Sequence, residues 1–433
     1  MRDYRSAVGA IHFPRDTTLV SEGGVERLAI GGVALSVLAE EYGTPLYVLS
    51  GSQLAHSADQ WRTHTTRVRP GTTVHFASKS LPVLAVLRAL RERGLGVDVS
   101  TEGEARAALR AGFTGEHMLV HGNAKSMAEL RLGLEVGVRF FVVDNHDDIE
   151  RLARMATPAA PARVVIRVVP EVAPATVAGM ATAHVGQKFG IELGQLAAAR
   201  AAIARHASLE FLGYHAHVGS QITRLEPFLE AVDRLVALDP PRVLDIGGGL
   251  GTAYLADQPV PSVEQFCDVV LGELNSLVTP DCEVVVEPGR SIAARALVTL
   301  YEVQTVKRGS HNTFVGLDGG TSDNLEVVMD YHPQDALVLD CTAATSEPTS
   351  AEICTVVGKH CDSGDVLIGS VELAPPAPGD LVVLPTTGAY SHAMASNYNA
   401  VPRPAMVWVE AGASRVIVRR ETIDDVFARD LLD

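Results

Sequence analysis

A lysine, three consecutive glycines, a serine and a Glu-Pro-Gly-Arg each stand directly after a short apolar run in this chain. Lys79 follows VHFAS, Ser220 follows HAHVG, and Gly247, Gly248 and Gly249 follow RVLDI. Glu287, Pro288, Gly289 and Arg290 follow EVVV. A primary amine condenses with a carbonyl to a Schiff base, and glycines expose backbone N–H groups to a phosphate. A phosphorylated carbonyl cofactor calls for this combination. Asp98, His121 and Arg167 stand at the ends of three further runs of the same kind, and His217 lies in the run that Ser220 follows. Taken singly, each residue has a plainer reading, with Lys79 a solvated cap, Glu287 a turn cap before Pro288 and Cys361 a small buried hydrophobe.

Chemistry at strand ends needs a scaffold that gathers them. From residue 74 to about 290, β-rich apolar runs alternate with helical segments. The runs are VHFAS (from Val74), GVDVS (Gly96), HMLVHG (His117), RFFVVD (Arg139), RVVIRVV (Arg163), FLGYHAHVG (Phe211), RVLDIGGG (Arg242) and EVVVEPG (Glu283). Between them lie segments such as LPVLAVLRALRERG, SMAELRLGLEVG and VEQFCDVVLGELNSL. Eight strands with seven helices in about 215 residues match a (β/α)8 TIM barrel, in which functional groups come from the carboxyl ends of the strands. After about Arg295 the helical period stops, and TLYEVQTVKRG, NTFVGLDGG, ALVLDCT, DVLIGSVEL, DLVVLPTTG, AMVWVEAG and RVIVRR read as strands. The division expected is a barrel over 51–295 and a β-sandwich- or barrel-like domain over 296–433, with strands from 1–50 joining it.

The chain has 433 residues and a formal net charge of −16. That acidity opposes sequence-independent binding of nucleic acid. No apolar run reaches the length of a membrane span, and the N-terminus carries charges where a signal peptide needs an apolar core. Five cysteines without a CxxC pair favour reduced thiols and a cytoplasmic setting over disulfides or a zinc site. His215 and His217 form an HxH on one strand face, but no third ligand falls in register. No metal is therefore expected, and His215 is assigned to packing. DNHDDIER reads as a solvated helix start. RVLDIGGGLG also resembles the opening of S-adenosylmethionine methyltransferases, but its helix starts only near Ser262 and six βα units precede it.

Seven motifs in order, VHFASKS, KFGI, HAHVGSQ, DIGGGLG, EPGR, CDSGD and GAY…SNYN, resemble the fold-type III pyridoxal-phosphate decarboxylases, closest to the diaminopimelate decarboxylase branch. Ornithine decarboxylases and alanine racemases are more distant relatives, and the implied fold is the alanine-racemase-like barrel with a β-domain. The resemblance implies pyridoxal 5'-phosphate on Lys79, His217 stacked on its ring, and Ser220, Gly249 and the Glu287–Arg290 backbone at its phosphate. It places Glu287 at the pyridine nitrogen and Tyr390 at the phosphate or substrate. Cys361 is implied as the proton donor and Asp362 as a substrate contact, both reaching across a homodimer interface. A thiol suits that task, being largely protonated near neutrality. Arg290 is expected to help orient an amino-acid substrate.

Two positions depart from the diaminopimelate pattern. After DGGTSDN, read as a strand, Glu326 stands where those enzymes have an arginine and Asp330 where they have a tyrosine; a one-residue slip recovers Tyr331 but not the arginine. Replacing a cation by an anion reverses the electrostatics at the substrate's far carboxylate. Asp362 replaces their glutamate, as in the ornithine enzymes. The expectation is decarboxylation of an amino acid or amino-acid derivative with a cationic, polar or conjugated distal group. A true meso-diaminopimelate decarboxylase, an amino-acid racemase and a non-catalytic cofactor carrier are the alternatives.

Overall fold

The computed structural model describes residues 4–22, 24–172, 186–329, 332–339 and 351–432. They fall into two compact units. One takes in Ser57–Gly251 and Pro259–Ile292; the other takes in the chain up to His56, Thr252–Gln258 and the chain from Ala293 on.

The first unit is a closed parallel barrel. Its strands are Thr73–Ala77, Gly96–Val99, Met118–Val120, Phe140–Val143, Ala162–Val169, Leu209–His215, Val243–Asp245 and Glu283–Val286. Each pairs in parallel with the next, and the eighth pairs with the first, through Val285 with Thr73 and Val286 with Val74. Strands read as near-continuous apolar runs because both faces are covered. Leu119, Phe140, Val142, Val165, Val243 and Val285 pack together at the barrel's centre. Several helix starts are fixed by side-chain caps. Thr101, Ser126, Asn145 and Ser262 each accept the N–H of the residue three further on, and Ser126 and Ser262 complete capping boxes. Short connections of this kind bring the eight strand ends to one face. DNHDDIER is a helix start, His146–Met155, but not a wholly solvated one. Asp148 is fully buried, with Lys125 Nζ at 2.7 Å and Arg151 Nη2 at 2.8 Å. Its carboxylate also accepts the Asp144 N–H, which ties this helix to the fourth strand end.

The second unit is built on Leu297–Arg308, a twelve-residue strand that pairs antiparallel with Leu46–Ser50, Thr313–Leu317 and Leu381–Leu384. Ala405–Glu410 runs parallel to Leu46–Ser50, and Glu352–Val357 parallel to Thr313–Leu317. Two apolar clusters lie along this sheet, one around Val48, Leu300 and Val407 and one around Val303, Val315 and Val356. ERLAI pairs not with that sheet but with Thr17–Glu22, in a separate three-stranded sheet. The segment after DGGTSDN is no strand. It turns and forms the short helix Leu325–Val328, because Asn324 N–H and Asp323 N–H both bond back to the Gly320 carbonyl. No helix among the described residues is long and apolar enough to cross a membrane.

Candidate active site

At the carboxyl end of the barrel, five ionisable side chains from five strands converge. Glu287 follows strand eight; its Oε1 lies 2.5 Å from His121 Nε2, after strand three, and its Oε2 lies 3.3 Å from His215 Nε2, at the end of strand six. His121 Nε2 also stands 3.7 Å from Asp98 Oδ1. Asp245 completes the group at the end of strand seven, where its Oδ1 accepts the Gly247 N–H. All five are buried.

Burial alone raises a carboxyl pKa, because the charged form loses its hydration. Asp245 follows that rule: burial, then the neighbouring Glu287 charge, holds it well above the ordinary range. Burial also lifts Asp98 to about 6, although His121 opposes it. Glu287 goes the other way. The facing His121 and His215 outweigh its burial and hold its carboxyl well below the usual value. Burial takes His215 down to about 4, so it is neutral, whereas Asp98 and Glu287 overcome burial at His121 and raise its pKa. Among the described residues, His121, His215, Asp245 and Glu287 are the group whose donor atoms could hold a metal ion. The 2.5 Å His121–Glu287 contact is a hydrogen-bond distance.

Beside the cluster lies a cradle with no side chains. A Cβ on Gly248 would meet the Glu287 carbonyl oxygen at 2.1 Å, and one on Gly249, at φ +118°, would meet the Gly219 carbonyl oxygen at 2.3 Å. The Glu287 N–H donates to Gly247 O (2.8 Å), the Ile222 N–H to Gly249 O (2.9 Å), and the Ala77 N–H to Pro288 O (3.1 Å). Thus strand ends six, seven, eight and one are laced together under Lys79. Gly289 has Ala77 and Ser80 so close that a Cβ would contact them at 3.0–3.2 Å. Ser220 Oγ accepts from Arg290 Nε and Nη2 at 3.3 and 3.2 Å, and Arg290 is 4% exposed. His217 Nδ1 accepts the Gly248 N–H at 3.3 Å. Its pKa is held well below the ordinary value by burial first and by Lys79 and Arg167 next, so it presents a neutral ring. Arg167 lies 3.7 Å from Asp144 and over the Phe189 ring of KFGI, 4.4 Å from its centre.

Lys79 sits in the tight turn Ser78–Ser80 after strand one. The residue is exposed. Its charge nonetheless lowers the pKa of both Asp98 and His217. The barrel thus brings together Lys79, His217, Ser220, Gly247–Gly249 and Glu287–Arg290. An ionised buried carboxylate, a neutral flat ring, an amine and a backbone cradle suit a phosphorylated aromatic aldehyde whose ring nitrogen carries a proton. Sequence reading missed the joint role of three residues: His215 contacts the carboxylate and is more than packing, His121 stood on the strand-end list without a task, and Asp245 went unremarked. The signal was there for His215, which shares a strand face with His217.

In the second unit, Cys354 is buried, as are Cys267 and Cys282 of the barrel, whereas Cys361 is exposed. Its backbone N–H donates to Asn399 Oδ1 at 3.2 Å, and Asp362 Oδ2 accepts the Tyr398 hydroxyl at 3.1 Å. The loop is anchored by buried Asp365. Its Oδ1 accepts the Thr321 N–H (2.7 Å) and hydroxyl (2.8 Å), and its Oδ2 accepts the His360 N–H (2.8 Å). His360 Nε2 lies 2.9 Å from Ser322 Oγ. CDSGD and DGGTSDN are therefore one bonded assembly. Tyr390 follows strand Leu381–Leu384 with φ +67°. Glu326 is buried, 3.9 Å from His332 Nε2, and the His332 ring stacks on Tyr254 with centres 3.4 Å apart. Asp330 and Tyr331 lie outside the described residues.

A family model described as "Pyridoxal-dependent decarboxylase, pyridoxal binding domain" matches residues 52–294. Diaminopimelate decarboxylase from Actinosynnema pretiosum subsp. auranticum is 39% identical over 416 residues, 93% of this chain and 92% of that protein. The enzyme of the same name from Mycobacterium tuberculosis H37Rv is 37% identical over 446 residues, 97% of each chain. The crystal structure of diaminopimelate decarboxylase from M. jannaschii in complex with L-lysine superposes with a TM-score of 0.87 at 28% identity, covering 96% of this chain and 98% of that one. The chain belongs to the pyridoxal-dependent decarboxylases, with the barrel and β-domain of that family, and is a pyridoxal 5'-phosphate-dependent enzyme that removes CO2 from an amino acid or amino-acid-derived substrate.

Proposed function

We propose that this enzyme decarboxylates an α-amino acid whose distal group is not held as a carboxylate, and that it works as a cytoplasmic homodimer with shared sites. The observation that carries this reading is Glu326, an acid 3% exposed at the position where an arginine would hold a far carboxylate. A carboxylate substrate brought to that acid meets like charge, at a cost of several kcal/mol if both stay ionised. Asp362, exposed and bonded to Tyr398, adds a second acid suited to a cationic or polar group.

When bound, pyridoxal 5'-phosphate supplies the aldehyde that takes the substrate amine and the ring that delocalises the electron pair left by CO2. The chain's own residues do the rest. Lys79 provides the amine that anchors the aldehyde and is displaced by substrate. Ser220, the amides around Gly247, Gly248 and Gly249, and the Glu287–Pro288–Gly289–Arg290 turn receive the phosphate side. His217 offers its neutral ring to the aromatic face. Glu287 keeps a negative charge where a protonated ring nitrogen needs one, which favours decarboxylation over the racemase alternative. Arg290 and Tyr390 orient the substrate, and Cys361 of one subunit delivers a proton to Cα in the other.

The test is CO2 release from a panel of lysine, ornithine, arginine, meso-diaminopimelate and citryl or glutamyl conjugates. A preference for a substrate with a non-carboxylate distal end is expected, and Glu326→Arg should move the preference toward meso-diaminopimelate by about tenfold or more. Strong wild-type activity on meso-diaminopimelate would overturn the reading in favour of the activity for which the curated relatives are named.

A further inference from the structure

Glu287 is a buried carboxylate that stays charged, and the source of its charge is local. Both of its oxygens are engaged, Oε1 by His121 and Oε2 by His215, from strands three and six on different sides of the barrel. The two imidazoles meet edge to face with centres 4.9 Å apart, which fixes the plane of the carboxylate between them. They are not equivalent. His121 stands between two acids, Glu287 at 2.5 Å and Asp98 at 3.7 Å, whereas His215 lies 3.3 Å from Glu287.

We propose that His121 is a positioning residue for the decarboxylation: as an imidazolium shared by Asp98 and Glu287, it holds the Glu287 carboxylate ionised and correctly aimed at the cofactor's ring nitrogen. This rests on the reading of Glu287 given above. Charge state follows from the surroundings. Burial opposes the His121 charge and Arg167 opposes it further, but Asp98 and Glu287 prevail. Lys79 and Glu104 act on Asp98 with opposite sign. On the Glu287 side, burial and the Glu287 charge hold the Asp245 pKa well above the ordinary range, while burial keeps His75 and His215 neutral, at about 3 and about 4. Of the histidines set against Glu287, His121 is the one whose pKa is raised, and it makes the shorter contact. Without it, burial governs Glu287 as it governs Asp245, and the carboxyl takes up a proton as the pH falls.

The experiment compares wild type with His121→Gln, which retains a hydrogen-bond donor without the charge. It measures kcat against pH and, separately, the dissociation constant of pyridoxal 5'-phosphate from the apoprotein against pH. The acid limb of both profiles should move up by at least about one pH unit in His121→Gln, with KM unmoved. A fall by one constant factor at every pH would show a merely structural role and overturn the proposal. Asp98→Asn is a second arm on another strand, should His121→Gln not fold. It removes an acid that raises the His121 pKa, so the alkaline limb should move down; an unmoved limb counts against the proposal. Glu287→Gln separates the two levels. If it keeps normal turnover and cofactor spectrum, the reading of Glu287 itself fails. If it abolishes turnover while His121→Gln shows no shift, only the His121 inference fails.

Discussion

At the barrel's strand ends, five ionisable side chains are withdrawn from solvent and held by one another, whereas in the CDSGD loop Cys361 and Asp362 are exposed. The loop's backbone is fixed, by Asp365 and Asn399, but its reactive atoms face outward. Both regions carry acids that sequence reading singled out, and they arrive at different kinds of order. In the barrel the charge of Glu287 is set by residues of the same unit, so its electrostatics are built before any substrate arrives. In the loop, the surroundings of Cys361 are left to whatever surface covers it. Half of the chemistry is self-contained and half waits for a neighbour, which in our reading is the second subunit.

The contrast can be broken most severely from the barrel side. Lys79→Ala removes the anchoring amine and should cost on the order of 10⁴-fold or more in kcat. It should also abolish the visible absorption of the wild type; an unchanged spectrum would refute the assignment. Cys361→Ala should cost about 10²- to 10⁴-fold in CO2-coupled amine formation and leave that spectrum in place. Mixing the two inactive variants sharpens the point. If sites are shared across a dimer, random reassortment restores roughly a quarter of wild-type activity, since half of the subunits pair as hybrids with one intact site each. No recovery on mixing, with hybrids formed, would mean that each chain completes its own site. The smallest effect is expected at Tyr398→Phe, which deletes one exposed hydrogen bond to Asp362. It should raise KM about threefold with kcat and the cofactor spectrum unmoved; a loss of the spectrum would show that the loop is not independent of the barrel chemistry.

The barrel was legible because its strands are buried on both faces and its helices begin at capping residues, so both periods stand out in the sequence. The motif residues at the strand ends were legible for the same reason. What could not be read was the convergence across the barrel. His121 and Glu287 are 166 residues apart and meet only because closure brings strands three and eight to opposite walls of one narrow space. An HxH pair suggested a metal or packing, and nothing in its spacing says that one histidine faces a carboxylate. DGGTSDN misled for a local reason. The apolar LEVV that follows it suits a strand, but the Asp323 and Asn324 amides bond back to Gly320 and start a helical turn. Gly51–Val68, an eighteen-residue helix rich in His, Thr and Ser, gave no apolar stripe strong enough to announce itself. Glu352–Val357 was overlooked as a strand between loop-like segments.

Asp365 has a consequence for how this enzyme can change. A single carboxylate takes two hydrogen bonds from Thr321 and one from the His360 amide, and it packs so tightly that a methyl on Gly320 would lie 2.5 Å from its Oδ1. The segment that leads to Glu326 and the segment that carries Cys361 are therefore stitched together by this carboxylate, with His360 and Ser322 beside it. In the reading proposed above, where Glu326 discriminates substrates and Cys361 donates the proton, a change that shifts one segment shifts the other, so a designer who wants a new side-chain preference has to treat the two as a single cassette.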